Sequence, residues 1–329
     1  MAGTRVAVIG AGAWGTALAG LAAVNGAQVT LWARRDEEAR RLERERGHPA
    51  LPGFALPAGV VASAEAARLA GTEVAVFATP AQSLAVAAAG LAPHLGRRIS
   101  AIITAKGIDG DSGQLMHEVL EGALPGAVPA VLSGPSFAAD VAQGLPTAVT
   151  LACADQALGA KLAALFARAS FRPYLGGDII GVELGGAVKN VLAIAAGIVA
   201  GRSLGESARA ALIARGLAEM TRFGTASGAA RETFSGLSGL GDLVLTAMSA
   251  RSRNMALGMA LAQGRALDEL TGAGRALAEG VFTAPVVARL ARERGVEMPI
   301  VAAVAGVVTG GIGIDEAIAS LLERPLRSE

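Results

Sequence analysis

Val6-Ala7-Val8-Ile9 runs straight into Gly10-Ala11-Gly12-Ala13-Trp14-Gly15, and an alanine- and leucine-rich stretch follows at 16–24. A short apolar run that ends in glycine suits a strand buried on both faces. The glycines then fit G-x-G-x-x-G at a turn from strand into helix, the opening of a βαβ unit. In that setting Gly10 permits the tight turn, Gly12 lets the backbone approach a pyrophosphate, and Gly15 lets helix pack on strand. The helix N-terminus adds unpaired N–H groups and a positive dipole end. Gly10, Gly12, Ala13, Trp14 and Gly15 are therefore candidate dinucleotide contacts. The alternative is a ligand-free turn in a chain that holds 44 glycines.

The alternation continues. Strand-like runs lie at 29–32, 74–77, 99–104, 128–132 and 148–151, with helical stretches at 63–69, 83–89 and 111–120. Asn25-Gly26 stands where a helix would end. Strands alternating with helices imply a doubly wound, mostly parallel Rossmann-type α/β sheet. After Gly176-Gly177-Asp178 the runs at 179–200, 207–223, 251–263, 283–294 and 315–322 all read as helices. Two domains are expected: 1–178, binding NAD(P), and an all-helical substrate-binding and catalytic domain, 179–329.

Composition closes off other classes. The 329 residues are 52% hydrophobic and 17% charged, which excludes intrinsic disorder. Lys plus Arg is 29 and Asp plus Glu is 28, so there is no cationic surplus to displace counterions, and no nucleic-acid partner is expected. Aromatics at 3% are too few for a base-stacking platform. The single cysteine, Cys153, forms no internal disulfide, and three histidines make a zinc site unexpected, so no metal is assigned. The uncharged run 6–33 is broken by glycines and by Asn25-Gly26-Ala27-Gln28; 122–139 and 298–314 are interrupted as well. None supplies the roughly 20 continuous apolar residues of a span. A cytoplasmic protein with no stable membrane insertion is expected.

The end of the second strand bears on the cofactor. An NAD site usually carries Asp or Glu there, on the ribose 2′-hydroxyl. This chain has Arg34 and Arg35, whose guanidiniums suit a 2′-phosphate, so NADP(H) and/or NAD(H) is the expected cofactor. The competing reading is a solvated start to the charged helix at 34–46.

Beyond the glycine turn, the chain carries an ordered set of short blocks. They are Phe77-Ala78-Thr79-Pro80, Ala105-Lys106-Gly107-Ile108, Ser133-Gly134-Pro135-Ser136-Phe137-Ala138 and Glu183-Leu184-Gly185-Gly186-Ala187-Val188-Lys189-Asn190. Gly236-Leu237-Ser238-Gly239-Leu240-Gly241-Asp242-Leu243, Ser252-Arg253-Asn254 and Ala278-Glu279-Gly280 complete it. From residue 6 to about 285 the chain thereby resembles the bacterial-type NAD(P)-dependent glycerol-3-phosphate dehydrogenases. Ala247 stands where that family often has Cys, and Ala13 where Ser is frequent. The resemblance implies interconversion of dihydroxyacetone phosphate and sn-glycerol 3-phosphate, for phospholipid synthesis, by hydride transfer at C2.

That chemistry needs a proton donor and acceptor at the C2 oxygen, and cations or N–H groups for the phosphate. Lys189, mid-helix among apolar residues, is the leading acid/base candidate, with Gly185 and Gly186 a turn back leaving room for substrate. Asp242 can orient it, and Thr246 shares a face with Asp242 if that stretch is helical. Lys106 follows a strand at the carboxyl edge of the sheet, where ligands bind in doubly wound folds, and the resemblance implies contact with substrate and cofactor. Lys189 also reads as a buried, carboxylate-paired structural lysine, Lys106 as a loop residue and Asn190 as a satisfied core amide; the catalytic reading takes all three. Ser252 is a plausible N-cap, and Arg253 and Asn254 then begin a helix suited to phosphate; a capped, solvated helix end is the alternative. Gly134 and Ser136 lie in a proline-containing loop and offer donors to substrate. Ala138, Leu277, Glu279 and a cofactor contact by Arg253 are implied by the resemblance alone.

Two other functions remain open: another NADP-linked 3-hydroxyacid dehydrogenase, and a non-catalytic nucleotide-sensing module. The first pairs such domains with a Lys-x-x-x-Asn element, whereas here Asn190 follows Lys189 directly; the second leaves Lys189, Asp242 and Arg253 without a purpose. Low charge and high apolar content suggest a further buried surface, and with it a homodimer.

Overall fold

The structure is a computed structural model that describes residues 3–96, 98–271 and 278–325. The chain forms two compact units, Met1–Ala105 with Gln114–Val182, and Lys106–Gly113 with Glu183–Glu329. The sequence alone puts the join at 178 and assigns 106–113 to the first domain. In the structure that segment belongs with the helices.

The first unit is an eight-stranded sheet. Its strands are β1 (Arg5–Ile9), β2 (Gln28–Trp32), β3 (Val60–Ser63), β4 (Val74–Phe77), β5 (Ser100–Ile103), β6 (Val128–Ser133), β7 (Thr147–Cys153) and β8 (Phe171–Gly176). They lie in the order β3-β2-β1-β4-β5-β6-β7-β8, and only β6 and β7 run antiparallel. The connecting helices are α1 (Ala13–Val24), α2 (Asp36–Glu45), α3 (Leu84–Leu91), α4 (Met116–Ala123), α5 (Ala138–Ala142) and α6 (Gln156–Ala164). Val6 and Val8 of β1 enter a core shared with Leu18 of α1 and Leu42 of α2. Ala7 and Ile9 enter the opposite core, with Leu84 of α3 and Leu120 of α4. Burial on both faces is why 6–9 of β1, all of β4 and 101–103 of β5 read as unbroken apolar runs.

Two strands escaped the sequence, and both are edges. β3 is four residues long with Val61 exposed. β8 carries Pro173, which donates no hydrogen bond, and leaves Tyr174 and Leu175 about half exposed. Two helix expectations are corrected. Residues 63–69 give the end of β3 and a single tight turn at Ala66–Leu69. The stretch 111–120 is helical only from Met116, because the Asp109 carboxylate accepts from the Ser112 N–H and hydroxyl and closes a turn instead.

The second unit is helical: α7 (Ile179–Gly201), α8 (Glu206–Ala226), α9 (Asp242–Met248), α10 (Arg253–Ala262), α11 (Leu267–Thr271), α12 (Gly280–Glu293), α13 (Pro299–Val308) and α14 (Ile314–Leu322). The first residues of α7 belong to the sheet unit. Among the described residues α7 is the one helix long and apolar enough to cross a membrane; 89% of its most apolar stretch is buried, as in the central helix of a folded core. α7 and α10 meet glycine on glycine: a Cβ on Gly197 would strike the Met255 carbonyl, and one on Gly258 the Ile194 carbonyl. That backbone-to-backbone approach brings Asn254 against Asn190.

Glu219 of α8 is 2% exposed, and its carboxylate accepts from the Ile300 and Val301 N–H groups at 2.8 and 3.2 Å, capping α13. Burial pushes this carboxyl up from 4.5 to about 7, against the pull of those two donors. Between these pH values the folded protein holds a proton that the unfolded chain has released. The contribution therefore favours folding most fully at pH below 4.5 and is lost as pH rises through 7, by roughly 3 kcal/mol. Urea unfolding from pH 5 to 8 should show the parent losing stability relative to Glu219→Gln. Parallel curves for the two proteins would show that Glu219 does not titrate in this range.

Candidate active site

In the sheet unit, Gly10 has φ +112°, and a Cβ there would lie 2.7 Å from the Ala78 carbonyl oxygen. A Cβ on Gly15 would strike the Gly10 carbonyl, so the helix start can sit this close to β1 only without a side chain. A Cβ on Gly12, by contrast, would meet nothing within 4 Å. Gly12 precedes α1 with no side-chain cap, so the first N–H groups of α1 face open space there. Ala13 and Trp14 pack partly buried on the core beneath. At the carboxyl ends of β4 and β6, the Thr79 and Ser133 hydroxyl oxygens are buried with no hydrogen-bond partner among the described residues. A glycine cradle with open space before a helix start, and orphaned hydroxyls at strand ends, fit a bound dinucleotide.

Arg34 and Arg35 are both exposed after β2. Arg35 is drawn to Glu38 at 3.6 Å, while Arg34 has no ion pair among the described residues. In the loop after β6, the Ser136 hydroxyl donates to the Gly134 carbonyl at 3.1 Å, and Ala138 begins α5. Gly134 also has a structural reason to be glycine: at φ +139°, its Cβ would lie 2.9 Å from the Val149 Cα.

The helical unit holds the ionisable cluster. The Lys189 ammonium, on α7, donates to Asp242 Oδ1 at 2.6 Å and to Thr246 Oγ1 at 2.8 Å. Lys106 donates to the other carboxylate oxygen, Oδ2, at 2.5 Å. Thr246, one helical turn beyond Asp242 on α9, donates to Oδ1 at 3.4 Å. One carboxylate thus serves two ammoniums. Burial opposes ionisation of Asp242, but the two lysines outweigh it and hold the carboxyl below the usual range. Burial also dominates at Lys189 and, with the like charge of Lys106, draws its ammonium down to about 7 against the attraction of Asp242. Lys189 and Asp242 are 6% and 1% exposed, whereas the Lys106 side chain keeps 19% of its surface open.

The remaining candidates fall around this cluster or away from it. Asn190 donates to the Lys106 carbonyl at 2.9 Å, and Asn254 donates to Asn190 Oδ1 at 2.9 Å. Ser252 caps α10 by accepting from the Met255 N–H, and Arg253 is exposed in its first turn. Glu279 precedes α12, and its carbonyl accepts from the Thr283 N–H and hydroxyl. Leu277 lies outside the described residues. The room expected beside Gly185 is corrected: a Cβ there would lie 2.6 Å from the Ser238 carbonyl, so protein backbone fills that space. Sequence reasoning missed the Lys106–Asp242 pair, the Thr79 and Ser133 hydroxyls and the Gly280 N–H; of these only Thr79 and Ser133 carried a signal, their place at strand ends.

A buried lysine near neutrality, oriented by a carboxylate, can deliver and recover a proton at a carbonyl oxygen. Lys106 and the Arg253 helix start can attract an anionic substrate. The chain matches the family model of the NAD-dependent glycerol-3-phosphate dehydrogenase N-terminus over residues 5–159, and that of the C-terminus over 178–319. It is 52% identical over 326 residues to a glycerol-3-phosphate dehydrogenase [NAD(P)+] of Parvibaculum lavamentivorans, covering 99% of this chain and 98% of that one. The Rhodospirillum rubrum protein of the same name is 53% identical, over 99% of this chain and 94% of its own. The crystal structure of glycerol-3-phosphate dehydrogenase from Coxiella burnetii superposes with a TM-score of 0.93 at 37% identity, covering 98% of this chain and 99% of that one.

Proposed function

The chain belongs to the NAD-dependent glycerol-3-phosphate dehydrogenase family, and we propose that it interconverts dihydroxyacetone phosphate and sn-glycerol 3-phosphate with NAD(P)(H). The observation that carries this reading is one buried carboxylate shared by Lys189 and Lys106, with Lys189 near neutral pH. In the reduction, Lys189 gives its proton to the C2 oxygen and is left as an amine, which Asp242 and Thr246 keep in place. In the oxidation the same nitrogen recovers that proton from the C2 hydroxyl. Lys106, the more open of the two lysines, polarises the substrate oxygens. Arg253 and the backbone N–H groups of the Ser252-capped helix start, that of Asn254 included, take the phosphate, with Gly134 and Ser136 as further substrate contacts. The cofactor is assigned to 1–178, through Gly10, Gly12, Ala13, Trp14, Gly15, Arg34, Arg35 and Ala138, with Lys106, Arg253, Leu277 and Glu279 from beyond the glycine turn. When bound, it supplies the hydride. The substrate-binding and catalytic role is assigned to 179–329. The reading extends to a cytoplasmic homodimer whose product serves phospholipid synthesis.

The test is oxidation of NADPH with dihydroxyacetone phosphate as sole added ketone, with the product's chirality checked. Turnover giving the sn-3 enantiomer is expected. Turnover only with a 3-oxo acid would overturn the reading in favour of a hydroxyacid dehydrogenase.

The cofactor preference rests on Arg34. An exposed guanidinium with no ion pair among the described residues can meet a 2′-phosphate through charge-assisted bonds, weakened by solvent screening. NADPH should exceed NADH by about five- to thirtyfold in kcat/KM, less at high salt. Arg34→Ala should erode that ratio and leave NADH kinetics nearly intact, and Arg35→Ala should do less. A parent ratio of one, unmoved by either substitution, would show that both arginines only solvate the start of α2.

A further inference from the structure

Lys106 opens a segment, Lys106–Gly113, that belongs to the helical unit although the chain on either side of it belongs to the sheet. Its ammonium is set on Asp242, but a lysine side chain has four flexible carbons and loses much rotamer freedom when fixed. Where the ammonium rests therefore depends on how firmly its backbone is held. The Lys106 carbonyl accepts from Asn190 Nδ2 at 2.9 Å. Asn190 Oδ1 accepts from Asn254 Nδ2 at 2.9 Å, and Asn254 Oδ1 accepts from the Gly280 N–H at 3.0 Å.

The two ends of this chain of bonds fix its direction. The Gly280 N–H can only donate and the Lys106 carbonyl can only accept, so each amide between them has one workable orientation. Both asparagines are buried, at 5% and 7% exposure, where an unpaired amide group costs about 1–3 kcal/mol. Helix packing sets the spacing. α7 and α10 touch through Gly197 and Gly258, and α12 starts so near α7 that a Cβ on Gly280 would lie 2.7 Å from the Asn190 carbonyl oxygen. At its far end, the segment rests on α12: a Cβ on Gly113 would meet the Arg289 and Leu290 side chains.

We propose that Asn190 and Asn254 are positioning residues whose one-way chain of amide hydrogen bonds, from the Gly280 N–H to the Lys106 carbonyl, holds the Lys106 ammonium on Asp242. The proposal rests on the reading that Lys106 and Lys189 act on the substrate, and it makes the two amides act through Lys106. It also bears on Lys189, which faces Asp242, Lys106 and the Thr246 hydroxyl. With Lys106 loosened, a like charge leaves the neighbourhood of Lys189, and Lys189 keeps its proton to higher pH.

The experiment compares Asn190→Leu, Asn254→Leu and the double variant. Each single variant should lower kcat on the order of ten- to a hundredfold, the scale of a misplaced catalytic group. The double variant should be no worse than the poorer single, because either break cuts the same chain. The alkaline limb of the reduction profile should move to higher pH in all three, and so should the Lys189 titration followed by NMR of labelled lysine. Asn254→Asp covers the case in which a leucine variant fails to fold. Its neutral carboxyl can still donate to Asn190, so it should resemble the parent at low pH and lose kcat once ionised. Additive losses, a change confined to KM, or an unmoved Lys189 titration would overturn the proposal. Absence of turnover in the parent would overturn the functional reading instead, and the titration would still test the amide chain.

Discussion

Asp242→Asn should cost the protein more than any other single change in the cluster, in stability as well as in rate. The substitution keeps the shape and removes the negative charge that Lys189 and Lys106 share. Breaking a buried pair by deleting one partner typically costs 3–5 kcal/mol, because the other charge stays buried and uncompensated. Here the lower end, about 3 kcal/mol, is expected: Lys106 is partly open to solvent, and Lys189 can shed its proton. Without the carboxylate, burial drives the Lys189 ammonium further below about 7, so the stability loss should be larger at pH 6 than at pH 9. The reduction should slow by at least about a hundredfold at neutral pH, since little of the acid form remains. Denaturant unfolding and kcat at both pH values provide the check. A stability loss independent of pH would mean that Asp242 does not set the charge on Lys189.

Lys189→Met should separate rate from stability. Methionine fills the space of the lysine stem, and Asp242 keeps Lys106 as a cationic partner. Deleting one partner of a buried pair is costly when it strands the other charge, and Asp242 is not stranded here because Lys106 still compensates it, so the fold should hold. With the donor gone, kcat should drop by at least about a hundredfold while cofactor affinity changes little. The parent profile supplies the sign. With the ammonium near 7, reduction needs the protonated form and declines above about 7, whereas oxidation needs the free amine and declines below it. Both limbs should vanish in the variant. Near-normal turnover in folded Lys189→Met would remove Lys189 from the proton transfer.

The strands of the sheet centre and the glycine turn were legible because each depends on its own neighbourhood. A strand segment covered on both faces must be apolar at every position, and 6–9 of β1, all of β4 and 101–103 of β5 show that run directly. Gly10 and Gly15 are dictated by contacts within a few residues of β1 and by Ala78, the residue after the adjacent strand β4. β8 was not legible, because an edge strand tolerates Pro173 and exposed side chains that argue against a strand in isolation. The resemblance brought Lys189, Asp242 and Lys106 forward as candidates. Their joint geometry lay beyond reach, since Lys106 and Asp242 are 136 residues apart and Lys189 and Asp242 are 53. Gly185 shows the limit from the other side: a glycine beside a candidate lysine reads as room for substrate until the Ser238 backbone is found in that room.

What the sequence determined by itself is therefore local: turn, strand, cap and the residue types that proton transfer requires. The charge state of Lys189 was decided only by the tertiary structure. It depends on how much water is excluded around one nitrogen, on the opposite charge of Asp242 at hydrogen-bond distance and on the like charge of Lys106 beyond it, and those follow from the glycine-tight packing of helices distant in the chain.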